Sequence, residues 1–582
     1  MQAWLTQLVR SGVNARLATF PKTRPKTVPR ARCPTLKERL LAPYPLAYPD
    51  LPKRGQYTRR IPGRPPQMTP ARCTVRRILL AATLTFAFAT QAFATSPVIP
   101  ELIPTTSGPI TGTVSHGIAA FRGIPYAAPP TGDLRWRPPE PPAKWTTPRA
   151  ATSFGNFCPQ NNGLDWFATG GGAEDCLTLN VFAPAAPHAA KLPVMVWIHG
   201  GNLEEGRGDD YDPTWLITQG HVIVVTLNYR LGALGFLAHK ALDAEHHPLA
   251  DYGLMDQQFA LAWVQHNISF FGGDPASVTI FGESAGGLSV YANMASPAAK
   301  PLFAKAIVQS GGYEPAVPPL AAAEAKGRDF ATEAGCPDQS AVCLRHLPLA
   351  KILAAEGAHE AGLIVDGTIL PRSIDAAFST GQFNHVPVIS GTNLDEASLF
   401  LVFSEHPLGT PPNAADYTTL IDGFYGKKAA SVRAAYPLTP GQQPATVLAA
   451  AATSSMFDCP GRRLQRLLAG AVPLYAYEFA DRTAPSYLPP VGFDLGAAHS
   501  FELSYLFTNY HGATGILHPL TPAQQRLAAT MVHAWTQFAH TGTPGWPRFT
   551  PEKERVLSLR LDAQPVITTY AAEHRCGFWD SH

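Results

Sequence analysis

Short apolar runs bounded by glycine, proline and polar residues recur from residue 112 onward. Gly112-Thr113-Val114 and Ala119-Ala120-Phe121 predict the first strands, and a proline-rich coil follows from Gly123 to Trp145. Residues 177–182, 194–198, 222–227, 278–281, 304–309 and 386–390 have the length and β-branched content of strands buried on both faces. Helical spacing is clearest over 253–270, where Leu254, Phe259, Leu261, Ala262 and Val264 recur, and further helices are expected over 459–468 and 522–541. Strands alternating with helices predict an α/β class with a central, mostly parallel sheet covered on both faces. No internal repeat interrupts 95–582, which reads as one domain despite its length.

Composition is that of a globular chain: 45% hydrophobic, 10% aromatic and 15% charged. The formal charge of +3 conceals an asymmetry. Residues 1–94 carry 17 Lys/Arg against 2 Asp/Glu, so the remainder carries 29 against 41 and is acidic. The basic character therefore belongs to the N-terminal segment, and an acidic body argues against a nucleic-acid partner.

Within that segment, Arg72, Arg76 and Arg77 precede an apolar run, 78–89, and then Ala92-Phe93-Ala94, a small-x-small cleavage site. The pattern predicts a secretory signal peptide over 68–94, cut after Ala94, with a run too short to span a bilayer. Met68 stands just upstream as an alternative start. Residues 1–67, with 11 prolines and no periodicity, read as an extension without a core, non-native or disordered. Export to a secreted or periplasmic location leaves no stable membrane anchor. It also leaves six cysteines, Cys158, Cys176, Cys336, Cys343, Cys459 and Cys576, an even count that reads as three disulfides among fifteen possible pairings. None has the C-x-x-C spacing of a zinc site.

Chemistry concentrates at Gly282-Glu283-Ser284-Ala285-Gly286, which follows the run Ser277–Ile280 and precedes the apolar stretch 287–292. Strand, tight turn and helix are the context that a G-x-S-x-G nucleophile elbow requires. Ala285 would offer its N–H from the start of the helix, where unsatisfied donors favour negative charge. A serine nucleophile also needs a base, an orienting acid and oxyanion donors. The 194–198 run ends in His199-Gly200-Gly201-Asn202, a loop type that supplies backbone N–H groups, so Gly201 and Asn202 join Ala285 as expected donors. Nineteen histidines compete for the base.

Further motifs narrow the choice. Phe121-Arg122-Gly123-Ile124-Pro125-Tyr126-Ala127, Leu134-Arg135-Trp136, Glu174-Asp175-Cys176-Leu177-Thr178-Leu179-Asn180-Val181, Asn228-Tyr229-Arg230-Leu231-Gly232 and Phe271-Gly272-Gly273-Asp274-Pro275 occur in order along the chain. With the elbow, they resemble the type-B carboxylesterase and cholinesterase family, bacterial para-nitrobenzyl esterases among them, from about Gly112 to Trp579. The resemblance implies an α/β-hydrolase fold and a secreted serine esterase that works through an acyl-enzyme. It implies Glu396 as the acid, in Gly391-Thr392-Asn393-Leu394-Asp395-Glu396, and His499 as the base, in Gly496-Ala497-Ala498-His499-Ser500-Phe501-Glu502. It also implies the bridges Cys158–Cys176, Cys336–Cys343 and Cys459–Cys576.

Asp395 is the rival acid. No cofactor or metal is implied, and the expected partner is a small-molecule ester. A base of ordinary histidine character predicts kcat/KM rising through about pH 6–7. Two other classes share the pattern: a non-catalytic adhesion homologue, which the intact Ser284, Glu396 and His499 set argues against, and thioesterase or acyltransferase use of the same triad. Asn202 and Leu203 depart from the small and aromatic residues usual there. Glu204, Glu205, Asp209 and Asp210 form either a substrate-steering entrance or a solvated acidic loop. Trp166 is expected on a gorge wall rather than as a choline site, and Glu283 adds negative potential beside the serine. Ser310 either hydrogen-bonds the acid or simply ends a strand, and His246-His247 reads as a loop rather than a metal pair.

Overall fold

The computed structural model describes residues 102–581 apart from 162–167, 187–189, 248–249, 314, 358, 360–361, 403–410 and 513. The expected segments 1–67 and 68–94, and Trp166, lie outside the described residues.

The strands are β1 (Leu102–Pro104), β2 (Pro109–Thr111), β3 (Thr113–Ser115), β4 (Ile118–Pro125), β5 (Arg149–Ala150), β6 (Thr178–Pro184) and β7 (Leu192–Ile198). They continue as β8 (Ile223–Leu227), β9 (Gly273–Glu283), β10 (Lys305–Gln309), β11 (Val388–Asn393), β12 (Leu474–Phe479), β13 (Val556–Leu559) and β14 (Val566–Ile567). Strands β1, β2 and β5 make a small separate sheet. The other eleven form one sheet in the order β14-β13-β12-β11-β10-β9-β7-β8-β6-β4-β3. Its centre, from β8 to β13, is parallel throughout, and antiparallel pairs occur only towards the two edges. This is the arrangement of an α/β-hydrolase.

Alternation along the central strands explains why both faces are covered. On β7, Val194, Val196 and Ile198 enter one core with helices α1 (Tyr252–Asn267) and α2 (Ala285–Ala295), through Leu254, Leu261, Leu288 and Tyr291. Met195 and Trp197 enter the opposite core, with Leu527, Met531 and Trp535 of a long helix, Pro522–Thr541. Full burial of side chains this large contributes roughly 1.5–3 kcal/mol each.

Helix α1 ends earlier than its apolar spacing predicts, in a 3-10 turn over Ile268–Phe271 closed by Gly272 at φ +84°. Three polar residues in its first half, Asp256, Gln257 and Gln258, are interior rather than solvent-facing. Asp256 pairs with Arg230 at 2.7 Å, Gln257 with Ser289 at 3.1 Å and Gln258 with Ser296 at 3.0 Å. The helices α3 (Pro444–Thr453) and α4 (Cys459–Ala469) are joined by a π-helical turn, Ser454–Asp458. The three disulfides join Cys158 to Cys176, Cys336 to Cys343 and Cys459 to Cys576, as the family resemblance implies. Among the described residues no helix is long and apolar enough to cross a membrane.

Candidate active site

Strand β9 runs into Ser284 and helix α2 starts at the next residue. Ser284 holds φ 56° and ψ −123°, a backbone geometry that non-glycine residues rarely occupy and that costs of order 1–3 kcal/mol. Two glycines make the turn possible. A Cβ on Gly286 would come within 2.0 Å of the Ile198 carbonyl oxygen, and one on Gly282 within 2.6 Å of the Gly286 backbone and of the same oxygen. The Ser284 N–H is anchored on the Gln309 carbonyl of β10 at 2.9 Å. The side chain therefore emerges at the carboxyl end of the sheet, where ligands bind in open α/β folds, and the residue is 5% exposed.

Glu396 follows β11 by a short turn, and its Oε1 accepts the Asn393 N–H at 2.8 Å. Its Oε2 lies 2.5 Å from His499 Nδ1, and the His499 N–H bonds the Glu396 carbonyl at 3.3 Å. Asp395, the rival acid, is turned away: it accepts the Ala497 N–H at 3.0 Å and pairs with Arg482 at 3.1 Å. The other ring nitrogen, His499 Nε2, makes no hydrogen bond among the described residues. It lies 3.1 Å from Glu283 Oε1, the residue before Ser284, in an ionic contact without hydrogen-bond alignment. Phe400 and Phe457 flank the imidazole with ring centres at 5.0 and 5.2 Å.

Three buried carboxyls surround this ring. Burial lifts Glu283 well above the ordinary carboxylate range, reinforced by Glu502 and Glu396. Burial likewise raises Glu502 to about 7 against the Asn393 and Gln309 amides that bond it at 2.6 and 3.0 Å. Burial opposes charge on His499, but Glu283 and then Glu396 outweigh it and raise the imidazole to about 9. The ordinary histidine range expected from sequence is thus displaced upward, because acids distant in the chain converge on the ring. Glu502, Phe400 and Phe457 carried no sequence signal of such a role beyond the first lying three residues after His499.

The loop after β7 carries the expected oxyanion donors. Gly201, Asn202 and Leu203 all have positive φ, at 98°, 58° and 62°. Asparagine tolerates this region, whereas Leu203 holds it at a cost. The N–H groups of Gly201, Asn202 and Ala285 make no hydrogen bond to other described residues. His199 is held neutral, its pKa lowered to about 4 by burial, and stacks on Tyr229 with ring centres 4.5 Å apart. Downstream, Gly206 exchanges two hydrogen bonds with the Gln160 side chain, at 2.9 and 3.0 Å, which ties the loop to the Cys158–Cys176 segment. Asn202 donates to Glu204 at 3.0 Å. Asp210 is raised to about 7, chiefly by burial, with Arg207 opposing. Ser310 Oγ is buried without a hydrogen-bond partner among the described residues and so does not bond the acid, while His247 contacts Glu245 at 3.3 Å.

Beside Asn202 and Leu203 opens a cavity of about 320 Å³, walled by Phe236, Leu288, Val317 and Phe330. It has the size and apolar lining of a small-molecule site.

The carboxylesterase family model matches residues 100–579. The chain is 34% identical over 483 residues to a para-nitrobenzyl esterase of Bacillus subtilis (strain 168), covering 79% of this chain and 94% of that one. It is 34% identical over 475 residues to a fumonisin B1 esterase of Sphingopyxis macrogoltabida, covering 77% and 85%. A cocaine esterase of Homo sapiens is 32% identical over 531 residues, covering 82% and 90%. A solved PNB esterase structure superposes with a TM-score of 0.70 at 33% identity, over 82% of this chain and 99% of that one. Sequence, fold and relatives agree: the chain belongs to the carboxylesterase family and is a carboxylic ester hydrolase.

Proposed function

We propose that Ser284, His499 and Glu396 form the catalytic triad of this esterase and that the N–H groups of Gly201, Asn202 and Ala285 form its oxyanion hole. The observation that carries the reading is the His499 ring, bonded to Glu396 through Nδ1 at 2.5 Å while Nε2 stays unbonded beside the elbow that presents Ser284. In the first half-reaction Ser284 Oγ attacks the ester carbonyl and Nε2 takes the hydroxyl proton. The oxyanion draws on the three N–H groups, each worth about 10²–10³ in rate. Collapse breaks the acyl–oxygen bond, and the imidazolium returns its proton to the leaving alcohol. Water then repeats the sequence on the acyl-enzyme, releasing the acid and restoring Ser284. Glu396 keeps the proton on Nδ1 and favours the imidazolium that forms between the steps. The cavity beside Asn202 and Leu203 receives one side of a small-molecule ester.

The same reading places the enzyme outside the cytoplasm, with 68–94 as signal peptide and 95–582 as the working domain. Three disulfides support export. N-terminal sequencing of the exported protein checks it: a start at Thr95 is expected, and retention of 68–94 would count against it. The triad is tested by hydrolysis of short and long p-nitrophenyl esters by wild type and Ser284→Ala. Turnover that vanishes with the hydroxyl while the fold survives supports the scheme, and turnover that persists removes Ser284 as nucleophile.

A further inference from the structure

A second imidazole lies between two buried acids. His574, 6% exposed, sits with Nδ1 2.6 Å from Asp458 Oδ2 and with Nε2 hydrogen-bonded to Glu478 Oε1 at 2.7 Å. The Tyr570 hydroxyl donates to Asp458 Oδ1 at 3.0 Å and pairs with Thr392 Oγ1 at 2.8 Å, and its ring lies 4.4 Å from that of His574. Ser558 Oγ donates to Glu478 Oε2 at 3.4 Å. The cluster thereby joins the π-helical turn Ser454–Asp458, strands β11, β12 and β13, and the C-terminal segment. The Cys459–Cys576 bridge closes alongside it.

Two carboxylates buried to this degree need a counter-charge, since breaking such a pair leaves an uncompensated ion in the interior. Burial opposes the charged form of His574, but Asp458 and Glu478 prevail and raise it to about 10. The cation therefore persists at neutral pH and holds Asp458 in place.

Asp458 and Phe457 are neighbours in a turn with one residue more than an α-helical turn holds, a device frequent at functional sites. Asp458 reaches His574, while Phe457 packs against His499 and stacks with Phe400 at 5.7 Å. The Glu396 bond fixes one nitrogen of His499 but leaves the ring free to tilt about that axis. Packing by the two phenyl rings supplies the second constraint that aims Nε2. We propose that His574 is a positioning residue for His499, fixing the turn Ser454–Asp458 through Asp458 and thereby the Phe457 ring that sets the tilt of the base. The inference rests on the reading of His499 as base.

The test is a double-mutant cycle on the full chain, with His574→Ala and Phe457→Leu singly and combined, reading kcat and KM separately on p-nitrophenyl acetate. Misaiming a catalytic group by about 1 Å costs about 10² in rate, so each single variant is expected to lower kcat about 10- to 100-fold with KM unchanged. The double variant should be no slower than the slower single one, because both remove the same constraint. A kcat at the wild-type value in folded His574→Ala overturns the proposal, whatever happens to thermal stability. So do losses that multiply in the double variant. Should His574→Ala fail to fold, Asp458→Asn replaces it in the cycle with the same expectations, since it removes the ion pair and keeps an acceptor for Tyr570. His499→Ala is measured in parallel: wild-type turnover there removes the base reading itself, whereas its loss together with an unchanged His574→Ala removes only the positioning role.

Discussion

Two histidines in this molecule have nearly the same surroundings and, in the scheme proposed above, opposite uses. His499 and His574 are both buried, each lies against two carboxyls, and each is raised above the ordinary imidazole range. The difference lies in one nitrogen. His574 has an acid within 2.7 Å of each nitrogen and closes a network of Asp458, Glu478, Tyr570 and Thr392. His499 keeps Nε2 without a hydrogen bond, at the end of the strand that presents a serine hydroxyl. An imidazolium clamped between two acids stores charge and holds segments together. One that keeps a nitrogen unbonded can exchange a proton with something that arrives. Burial and perturbed pKa alone would have flagged both equally.

The sharpest way to break this comparison is to delete each ring. His499→Ala is expected to lower kcat on the order of 10⁶-fold, as loss of a triad base does elsewhere, against the far smaller loss anticipated at His574. Comparable losses at the two sites, in a kcat assay of the folded variants, would erase the distinction. Next in size is the tie beside His574. Replacing Cys459 and Cys576 by Ala opens a bridge of sequence separation 117, and the chain-entropy relation gives roughly 4–5 kcal/mol of lost stability. Urea unfolding should show it, while activity of the fraction still folded is retained.

Titration separates the two sites further. As the proposed base, His499 must be neutral to act, so a pKa raised to about 9 means that kcat/KM keeps climbing past pH 7 and levels only above about pH 9. Glu283 is the largest charge behind that rise, so Glu283→Gln should move the limb down towards 6.5. A limb unmoved by that substitution would assign the rise to another group. At His574 the folded pKa is raised from 6.5 to about 10, so its stabilisation is complete below 6.5 and is lost as pH rises through 10. Unfolding midpoints should fall between pH 7 and 10 more steeply in wild type than in His574→Gln. The smallest effect expected is at Asp395→Asn, whose parent carboxylate faces Arg482 rather than His499. Its kcat should match wild type, and a loss like that of Glu396→Gln would reassign the acid.

What was legible in the sequence follows the same division. The central strands were visible because both of their faces are apolar, and the elbow because glycines on either side of a serine have a steric reason to be there. Strand β12 was not legible: Leu-Tyr-Ala-Tyr-Glu-Phe places an acid inside a buried strand, and what neutralises Glu478 stands 96 residues away. The alanine-rich helices Ala429–Ala435 and Pro444–Thr453 escaped for a different reason, since small residues give little contrast between faces. Glu396 and His499 emerged through family resemblance, because nothing local distinguishes one histidine of nineteen. The upward displacement of His499 was hidden because it arises from Glu283, Glu396 and Glu502, which only the fold brings together.

The loop between Cys158 and Cys176 has a consequence for how such an enzyme can diversify. Its neck is closed twice, by the disulfide and by the paired backbones of Gln160 and Gly171, and the Gln160 side chain reaches across to brace Gly206. The neck of this segment therefore also braces the loop that follows β7. Natural drift or a combinatorial library that varies the sequence between the two cysteines is therefore constrained at Gln160, whose loss would free the loop to which the proposed scheme assigns the carbonyl oxygen.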